Sequence, residues 1–402
     1  MKTINQNFNR ILLLGLVFIG WYYFKSDPLR VDENTNFSQI ITYSSGKLVH
    51  DPFLTSVSGY HYLMSWIVRA FHSESTALLR GMSALLGLGS IAALHYSNRL
   101  LNQHQHFERV VQFAVFPTIF PFFFLIYNDI ASLCFVLAGM YFCLRQRYSL
   151  GISILILSMG MRQNNVLWLL AIPALCWLMQ TDFVFNKQNI LAFMRRCWLI
   201  GVGLIGFAIF VVLNHGVAMG DRSMHPPFAL NSGNAFFFLF CYCVILLPLV
   251  LSRTKENIRF AMAQRHIGLM VALFFALYLF AFSNTHPYNN LSEDLFIRNW
   301  ILMKVFASFW LKMLFFIPIA LAALDLARSM QQRPPLRIVV LASLLFLMLS
   351  WLIEPRYYMI SFALIMLFRP DGSPNAEKMT SMYCALLSIL VIYVTHQNML
   401  FL

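Results

Sequence analysis

Residues 199–213 read LIGVGLIGFAIFVVL and residues 235–251 read AFFFLFCYCVILLPLVL, and between them stands NHGVAMGDRSMH at 214–225. Neither apolar run carries a charge. Neither alternates with the period of two of a half-buried strand, nor keeps the polar stripe of a surface helix. A helix that is apolar all round is buried in protein or in lipid. In hydrocarbon every backbone polar group must be satisfied within the segment, which a helix does. The stretch therefore reads as two membrane helices joined by a short polar connection that carries Asp221, Arg222 and His225.

The same alternation runs to both ends of the chain. Apolar runs fall at 9–25, 77–96, 108–127, 129–144, 149–161, 166–179, 197–213, 235–251, 267–283, 306–326, 337–353, 357–369 and 380–396. That is about 12–13 transmembrane helices, several of them short for a crossing of roughly 20 residues. Only 11% of the 402 residues are charged, against about a quarter in a soluble domain, so lipid is the main solvent. The chain reads as one all-α polytopic membrane domain, 1–402. It has no linker, low-complexity tract or internal repeat of the kind that marks many secondary transporters. The run ILLLGLVFIGWYYF follows Lys2 and Arg10 without a small-residue cleavage site and reads as a retained signal anchor. Cys241 and Cys243 sit mid-helix without a second pair, so no metal site is expected, and no motif calls for a cofactor.

The formal net charge of +13 follows loop topology. With the N-terminus inside, RQR (145–147), SRTKENIRFAMAQRH (252–266) and RSMQQRPPLR (328–337) are positive-inside loops. There is no basic tract with interleaved aromatics, so nucleic acid is not a partner. Nor is there a GxxxxGK[ST] loop for a nucleotide. The acids sort outward: Asp27, Asp32, Glu33, Asp51, Glu74, Asp129, Asp221, Glu293, Asp294 and Glu354. The same side collects RVDENTNFSQIITY (30–43), VHDPFLTS (49–56), YND (127–129), MRQNN (161–165), MGDRSMH (219–225), NTHPYNNLSEDLFIRNW (284–300) and EPRYY (354–358). The first outer loop, about 25–76, is the longest of these segments.

Taken singly, each residue has an ordinary reading. Asp32 and Glu33 can be solvated loop acids, Arg222 can simply pair with Asp221, and Glu354 can be the partner of Arg356. His225 and His286, each beside a proline, can be plain polar side chains. Asp325 reads as a residue that snorkels to the inner interface, and the Phe-rich stretch 116–127 as lipid-facing or packing surface. Together they say more. Excess cations with a few acids on one membrane face suit an anionic lipid-phosphate substrate and a polar acceptor. Arginine offers planar, permanently charged donors to phosphate oxygens. One of two adjacent carboxylates can serve as general base, its pKa raised by the other. A flippase or transporter of lipid-linked glycans is the alternative, but it should place polar residues within spans and on both faces. A non-catalytic partner subunit is a third reading.

These motifs resemble those of the dolichyl-phosphate-glucose α-1,2-glucosyltransferases of the asparagine-linked glycosylation pathway. GDRSMH is similar to the family's GDRSSH-type segment. RVDENTNFSQIITY is similar to its DE.FH..Q...Y segment through Asp32, Glu33, Gln39 and Tyr43. HDPFLTS keeps the Asp51-Pro52 pair of its WDP.ITT element, and FPTIFPFFFLIYND ends in Asp129 where the family has Glu. MRQNNVLW resembles FRQTNI.W through Arg162, Gln163, Asn165 and Trp168. NTHPYNNLSEDLFIRNW and IEPRYYMI resemble its AH..L.DNRHY.FY.W and LEFRYF.LP elements. The departures are Asn36 for the family's His, His50 for its Trp before Asp-Pro, Ser58 for the proline of its PGLY element, and a broken DNRHY. They allow a bacterial relative with a different acceptor.

The resemblance implies a GT-C-type glycosyltransferase fold with its site on the luminal or periplasmic face. It implies an integral protein of the endoplasmic reticulum membrane in a eukaryote, or of the inner membrane in a bacterium. The donor would be a polyprenyl- or dolichyl-phosphate hexose, glucose in the family, the acceptor a lipid-linked oligosaccharide, and the product an α-1,2 linkage formed with inversion. Asp32 would be the base, with Glu33 positioning the acceptor or tuning its neighbour. Asp51 and Asp129 would hold sugar hydroxyls. Arg222, Arg298 and Arg356 would meet the phosphate, with Asp221 holding Arg222. Arg162, Gln163, Asn165, His225, His286 and Tyr357 would complete the substrate site.

Overall fold

The computed structural model describes residues 14–102, 107–226, 230–291 and 296–397, with 399 and 401. Lys2, Arg10, Ser292, Glu293 and Asp294, which the sequence reading placed on one or other membrane face, lie outside the described residues. Regular structure among the described residues is helical, as the run lengths require. The chain groups into two units: Met1–Ala114 with Ile119–Ser223, and Val115–Thr118 with Met224–Leu402.

The first unit holds α1 (Leu14–Phe24), α2 (Asp32–Ser44), α3 (Gly59–Phe71), α4 (Thr76–Leu101), α5 (Phe107–Ala114), α6 (Asn128–Leu144), α7 (Tyr148–Met161), α8 (Val166–Gln180), α9 (Lys187–Arg196) and α10 (Leu199–Leu213). Helices α6 and α7 pack backbone to backbone. A Cβ on Gly139 would lie 3.0 Å from the Gly151 carbonyl oxygen, and one on Gly151 would lie 2.8 Å from that of Gly139. Small residues at a helix crossing are the usual route to close packing where lipid gives no hydrophobic drive.

The segment 25–76, read from the sequence as the first outer loop, is not irregular, because α2 and α3 lie within it. They are pinned to the bundle by a core cluster of Ile40, Tyr60, Met64, Val68, Leu79, Ile126, Ala131 and Met161. The expected span at 108–127 does not form as one helix. Its helical part stops at Ala114, Val115–Thr118 group with the second unit, and Phe120–Phe124 turn in a 3₁₀ helix. Pro117 and Pro121 account for the break, since each removes an amide donor. The phenylalanines there are buried packing residues, and their lipid-facing alternative falls away.

The second unit holds α11 (Gly233–Ile245), α12 (Leu247–Met262), α13 (Ile267–Ala281), α14 (Ile297–Ala307), α15 (Phe309–Gln332), α16 (Pro334–Met348), α17 (Met359–Phe368) and α18 (Pro374–His396). The run at 235–251 is not a straight span. It bends by 99° between α11 and α12, at Leu246 before Pro248, and α12 carries the helix into what read as an inner loop.

Among the described residues, three helices are long and apolar enough to cross a membrane alone: α4, α15 and α18. The count reaches five if the bent pairs α9–α10 and α11–α12 are single spans, and shorter apolar helices fill the rest. The chain is an all-α polytopic membrane protein, built with fewer full-length crossings than its apolar runs suggest. Asp325 does not snorkel. It is buried, accepting from Tyr242 at 2.8 Å and Asn257 at 3.0 Å, with Arg253 at 3.6 Å. A buried carboxylate persists where such partners replace its water.

Candidate active site

In the first unit the site grows from α2. Positions 32, 36, 39 and 43 fall on one helix face by their 4-3-4 spacing. Most of the buried face of this helix is polar: Glu33, Asn36, Gln39 and Tyr43 lie there with Ile40. Buried polar groups need partners, and each has one. Asn36 Oδ1 accepts from His61 Nε2 at 2.8 Å. Gln39 donates to the Val49 carbonyl at 2.9 Å and accepts from the Asp51 amide at 2.6 Å. Tyr43 meets Ser58 at 2.9 Å, and Ser58 meets His50 Nδ1 at 3.1 Å. Burial raises the Tyr43 pKa above its usual value. Thus α2 holds the HDPFLTS loop along its length. Three of the departures from the family pattern, Asn36, His50 and Ser58, engage neighbours on this loop, on α2 or on α3, and His50 and Ser58 bond each other.

Glu33 requires a correction. It is fully buried, and its carboxylate is spent on the fold: Arg80 donates to Oε1 at 3.1 Å and to Oε2 at 2.8 Å. The amides of Ile126 (2.9 Å) and Arg30 (3.1 Å) add two more bonds. Arg80, also fully buried, donates further to the carbonyls of Phe24, Asp27 and Pro28. Glu33 therefore locks the α1–α2 junction and does not hold an acceptor. Asp32, one step round the helix on the face of Asn36, Gln39 and Tyr43, is half-buried. Sequence reasoning missed Arg80 because it stands inside an apolar run, a place where an arginine needs a buried partner.

GDRSMH is fastened to HDPFLTS. The amides of Met219, Gly220 and Asp221 donate to the carbonyls of Thr55 (3.1 Å), Leu54 (2.9 Å) and Pro52 (2.8 Å). Gly220 is required there, since a Cβ would fall 2.2 Å from the Pro52 oxygen and 2.6 Å from that of Leu54. Gln163 ties both segments from below. It donates to the Thr55 carbonyl at 2.8 Å and the Val217 carbonyl at 3.2 Å, and accepts from the Val57 amide at 3.2 Å.

With both ends of its amide committed, Gln163 is a strut rather than a substrate ligand. Asn165, fully buried and bonded to Ser132 and the Ser158 carbonyl, serves the scaffold too. Asp51 accepts from the Phe53 amide at 2.8 Å and shapes the loop tip. Arg162 and Asp129 form an ion pair with Asp129 nearly buried. Exposed Arg222 is steadied by Asn214 Oδ1 at 3.0 Å and the Ala218 carbonyl at 3.2 Å. The Asp221 carboxylate, expected to hold it, accepts from Ser223 at 3.1 Å. Asp221 itself sits at φ +25°, a turn conformation that costs a non-glycine residue free energy.

In the second unit a different device positions the charges. Residues 350–354 bend at Trp351 and Leu352 and are extended at Glu354, as the residue before proline prefers, and two buried asparagines flank them. Asn289 pairs with both the N–H and the C=O of Ile353, each at 2.9 Å. Asn234 donates to the Ser350 and Leu352 carbonyls at 2.9 and 2.8 Å, and accepts from the Glu354 amide at 3.1 Å and the Tyr358 hydroxyl at 2.9 Å. The two amides do for this segment what neighbouring strands would do.

Glu354, buried, is thereby placed 3.0 Å from Arg298 and 3.6 Å from Arg356. Arg298 is 4% exposed, and Arg356 is half-buried. Two guanidiniums share one carboxylate. Tyr357 follows in the 3₁₀ turn Pro355–Tyr358. His286 is buried. Its Nδ1 accepts from the Tyr288 amide at 3.1 Å, so Nε2 carries the proton and donates to the Met224 carbonyl at 3.0 Å. The ring of His225 lies 6.1 Å from it. Asn234 and Asn289 went unnoticed in the sequence because their partners are backbone atoms far along the chain.

Residues 27–190 and 173–367 match the DIE2/ALG10 family. A human relative is 22% identical over 78% of this chain and 77% of its own length. One from Arabidopsis thaliana is 22% identical over 84% of this chain and 85% of its own. One from Rattus norvegicus is 22% identical over 64% and 66%, so the chain spans about two thirds of that protein. Each is named Dol-P-Glc:Glc(2)Man(9)GlcNAc(2)-PP-Dol alpha-1,2-glucosyltransferase. No solved structure matches.

Proposed function

This chain belongs to the DIE2/ALG10 family, and we propose that it is a membrane glycosyltransferase that moves glucose from a polyprenyl- or dolichyl-phosphate donor to a lipid-linked glycan. The linkage formed is α-1,2, with inversion at the anomeric carbon, and the site faces the lumen or periplasm. The observation that carries this reading is the family match from residue 27 to 367, which contains every candidate site residue from Asp32 to Tyr357.

The chemistry needs few parts. Asp32 takes the proton of the acceptor hydroxyl as that oxygen bonds to the anomeric carbon. The bond from that carbon to the phosphate oxygen breaks, and the polyprenyl phosphate leaves with the electron pair. Fixed cations lower the barrier by stabilising the charge that develops on the leaving group. Arg298 and Arg356, which meet at Glu354, supply that charge in the second unit. Arg222 supplies it in the first. The segments carrying Asp51 and Arg222 are hydrogen-bonded to each other, and the first of them to α2, which begins at Asp32, so they do not have to be ordered when substrate arrives.

The test is purified full-length protein in detergent with dolichyl-phosphate-glucose and a panel of lipid-linked acceptors, the product linkage being read by mass spectrometry and NMR. Transfer of one glucose in α-1,2 linkage is the expected result. Absence of transfer with every acceptor, together with movement of lipid-linked glycan across vesicles holding the protein, would establish a transporter instead.

A further inference from the structure

We propose that the cavity at the end of α11, α13 and α16 in the second unit is a subsite for a neutral hexose ring that stacks on Trp351; the proposal rests on the glycosyltransferase reading above. The cavity measures about 460 Å³ and is lined by Asn231, Ser232, Ser283, Thr285 and Trp351 among others. That volume falls in the roughly 300–1,000 Å³ range of small-molecule sites. None of the described residues that line it is charged. A phosphate would find no cation there, whereas Glu354 of the Arg298–Glu354–Arg356 cluster stands three residues further along the chain, at most about 10 Å from Trp351 by chain length.

Trp351 is held in place at both its backbone and its ring. Its carbonyl accepts from Asn231 Nδ2 at 3.3 Å, and its indole N–H donates to Thr285 Oγ1 at 2.9 Å. The His286 ring packs against it at 4.6 Å between centroids. Thr285 accepts the indole proton and keeps its own to donate. Ser283 makes no side-chain hydrogen bond among the described residues, so its hydroxyl is available to a guest. A prenyl chain would leave these hydroxyls without partners, at a cost in free energy. A pyranose satisfies both needs, with its C–H face on the indole and its hydroxyls on Ser283 and Thr285. An uncharged sugar site beside a cationic cluster fits a substrate whose sugar and phosphate are joined, or the end of a glycan laid next to one.

The sugar can come from the donor or from the acceptor glycan, and the experiment separates them. Ser283→Leu fills the space and Trp351→Leu removes the stacking face, while Ser283→Ala is a mild control for folding. KM is measured for donor and acceptor in turn. Saturation-transfer NMR then follows an α-linked glucose disaccharide on the purified full-length protein. We expect KM for one substrate to rise about tenfold in both Leu variants, as a lost hydrogen bond in Ser283→Leu and a lost aromatic face in Trp351→Leu would cause, with loss of the disaccharide signal. A rise confined to the acceptor assigns the ring to the glycan, and a rise confined to the donor assigns it to the transferred glucose. Unchanged KM values and an unchanged disaccharide signal in folded Leu variants overturn the subsite. If wild type transfers no glucose, the enzyme reading fails. Disaccharide binding, lost or kept in Ser283→Leu, then decides the cavity alone.

Discussion

Replacing Gly220 by alanine puts one methyl group where two carbonyls already stand. The new Cβ would be 2.2 Å from the Pro52 oxygen, 2.6 Å from the Leu54 oxygen and 2.8 Å from the Pro52 carbonyl carbon. All three are backbone atoms, so no side chain can swing away. The two segments must separate by about 1 Å to reach ordinary contact. The bonds from Met219, Gly220 and Asp221 are 3.1, 2.9 and 2.8 Å long, and such a move takes them past the range of good hydrogen bonds. At about 0.5–1.5 kcal/mol net for each bond, the loss is about 1.5–4.5 kcal/mol. Because the same staple fixes Asp51 and Arg222, turnover should fall by up to about 10²-fold, the effect of a 1 Å misplacement. Apparent melting temperature in detergent and the glucose-transfer rate report the two effects separately. Gly206→Ala in α10 is the control, since nothing lies within 4 Å of its Cβ position. Gln163→Ala should be non-additive with Gly220→Ala because both hold the same pair of loops. Wild-type melting and turnover in Gly220→Ala would show that the staple does not shape the site.

Asp32→Asn should lower turnover by about 10²–10⁴-fold, the usual loss of a general base, with donor binding nearly unchanged; wild-type turnover in this variant moves the role to Asp51. His61 is driven down to about 3 from 6.5, by burial first and then by the charge of His50. As pH falls from 6.5 towards 3, the unfolded chain binds a proton that the folded chain refuses. Stability should therefore drop with falling pH by up to about 1.4 kcal/mol per unit, and His61→Gln, which keeps a donor for Asn36, should flatten the melting temperature profile; an unaltered slope assigns the dependence to other groups. Arg298→Ala removes a buried partner of Glu354 and should cost about 3–5 kcal/mol, whereas Arg356→Ala, half-buried, should cost about 1 kcal/mol or less while still weakening donor use. Equal shifts in melting temperature would contradict this division of roles.

Membrane class, approximate span positions and the polar segments of interest were legible because each depends on local composition. An uncharged run cannot sit in water at this length, and a polar cluster between two such runs has to lie at a membrane edge or in a wet cavity. Family membership was legible because short motifs in order survive at low identity. What the sequence left open was which polar residue serves the scaffold and which faces a ligand. Asp32 and Glu33 are chemically alike and adjacent, but the 100° step of a helix sends one into Arg80 and leaves the other half-buried. Gln163 and Asn165 look like ligands until their backbone partners, 54 residues away in the case of Gln163 and Val217, are known. Asn234 and Asn289 look like loop polars, yet they bond backbone more than 60 residues away. The count of full-length helices went the same way, because two prolines break one apolar run and a sharp bend divides another without changing their hydropathy. Hydropathy is a sum over neighbours in the chain, whereas the satisfaction of a buried polar group depends on neighbours in space, which only the tertiary structure supplies.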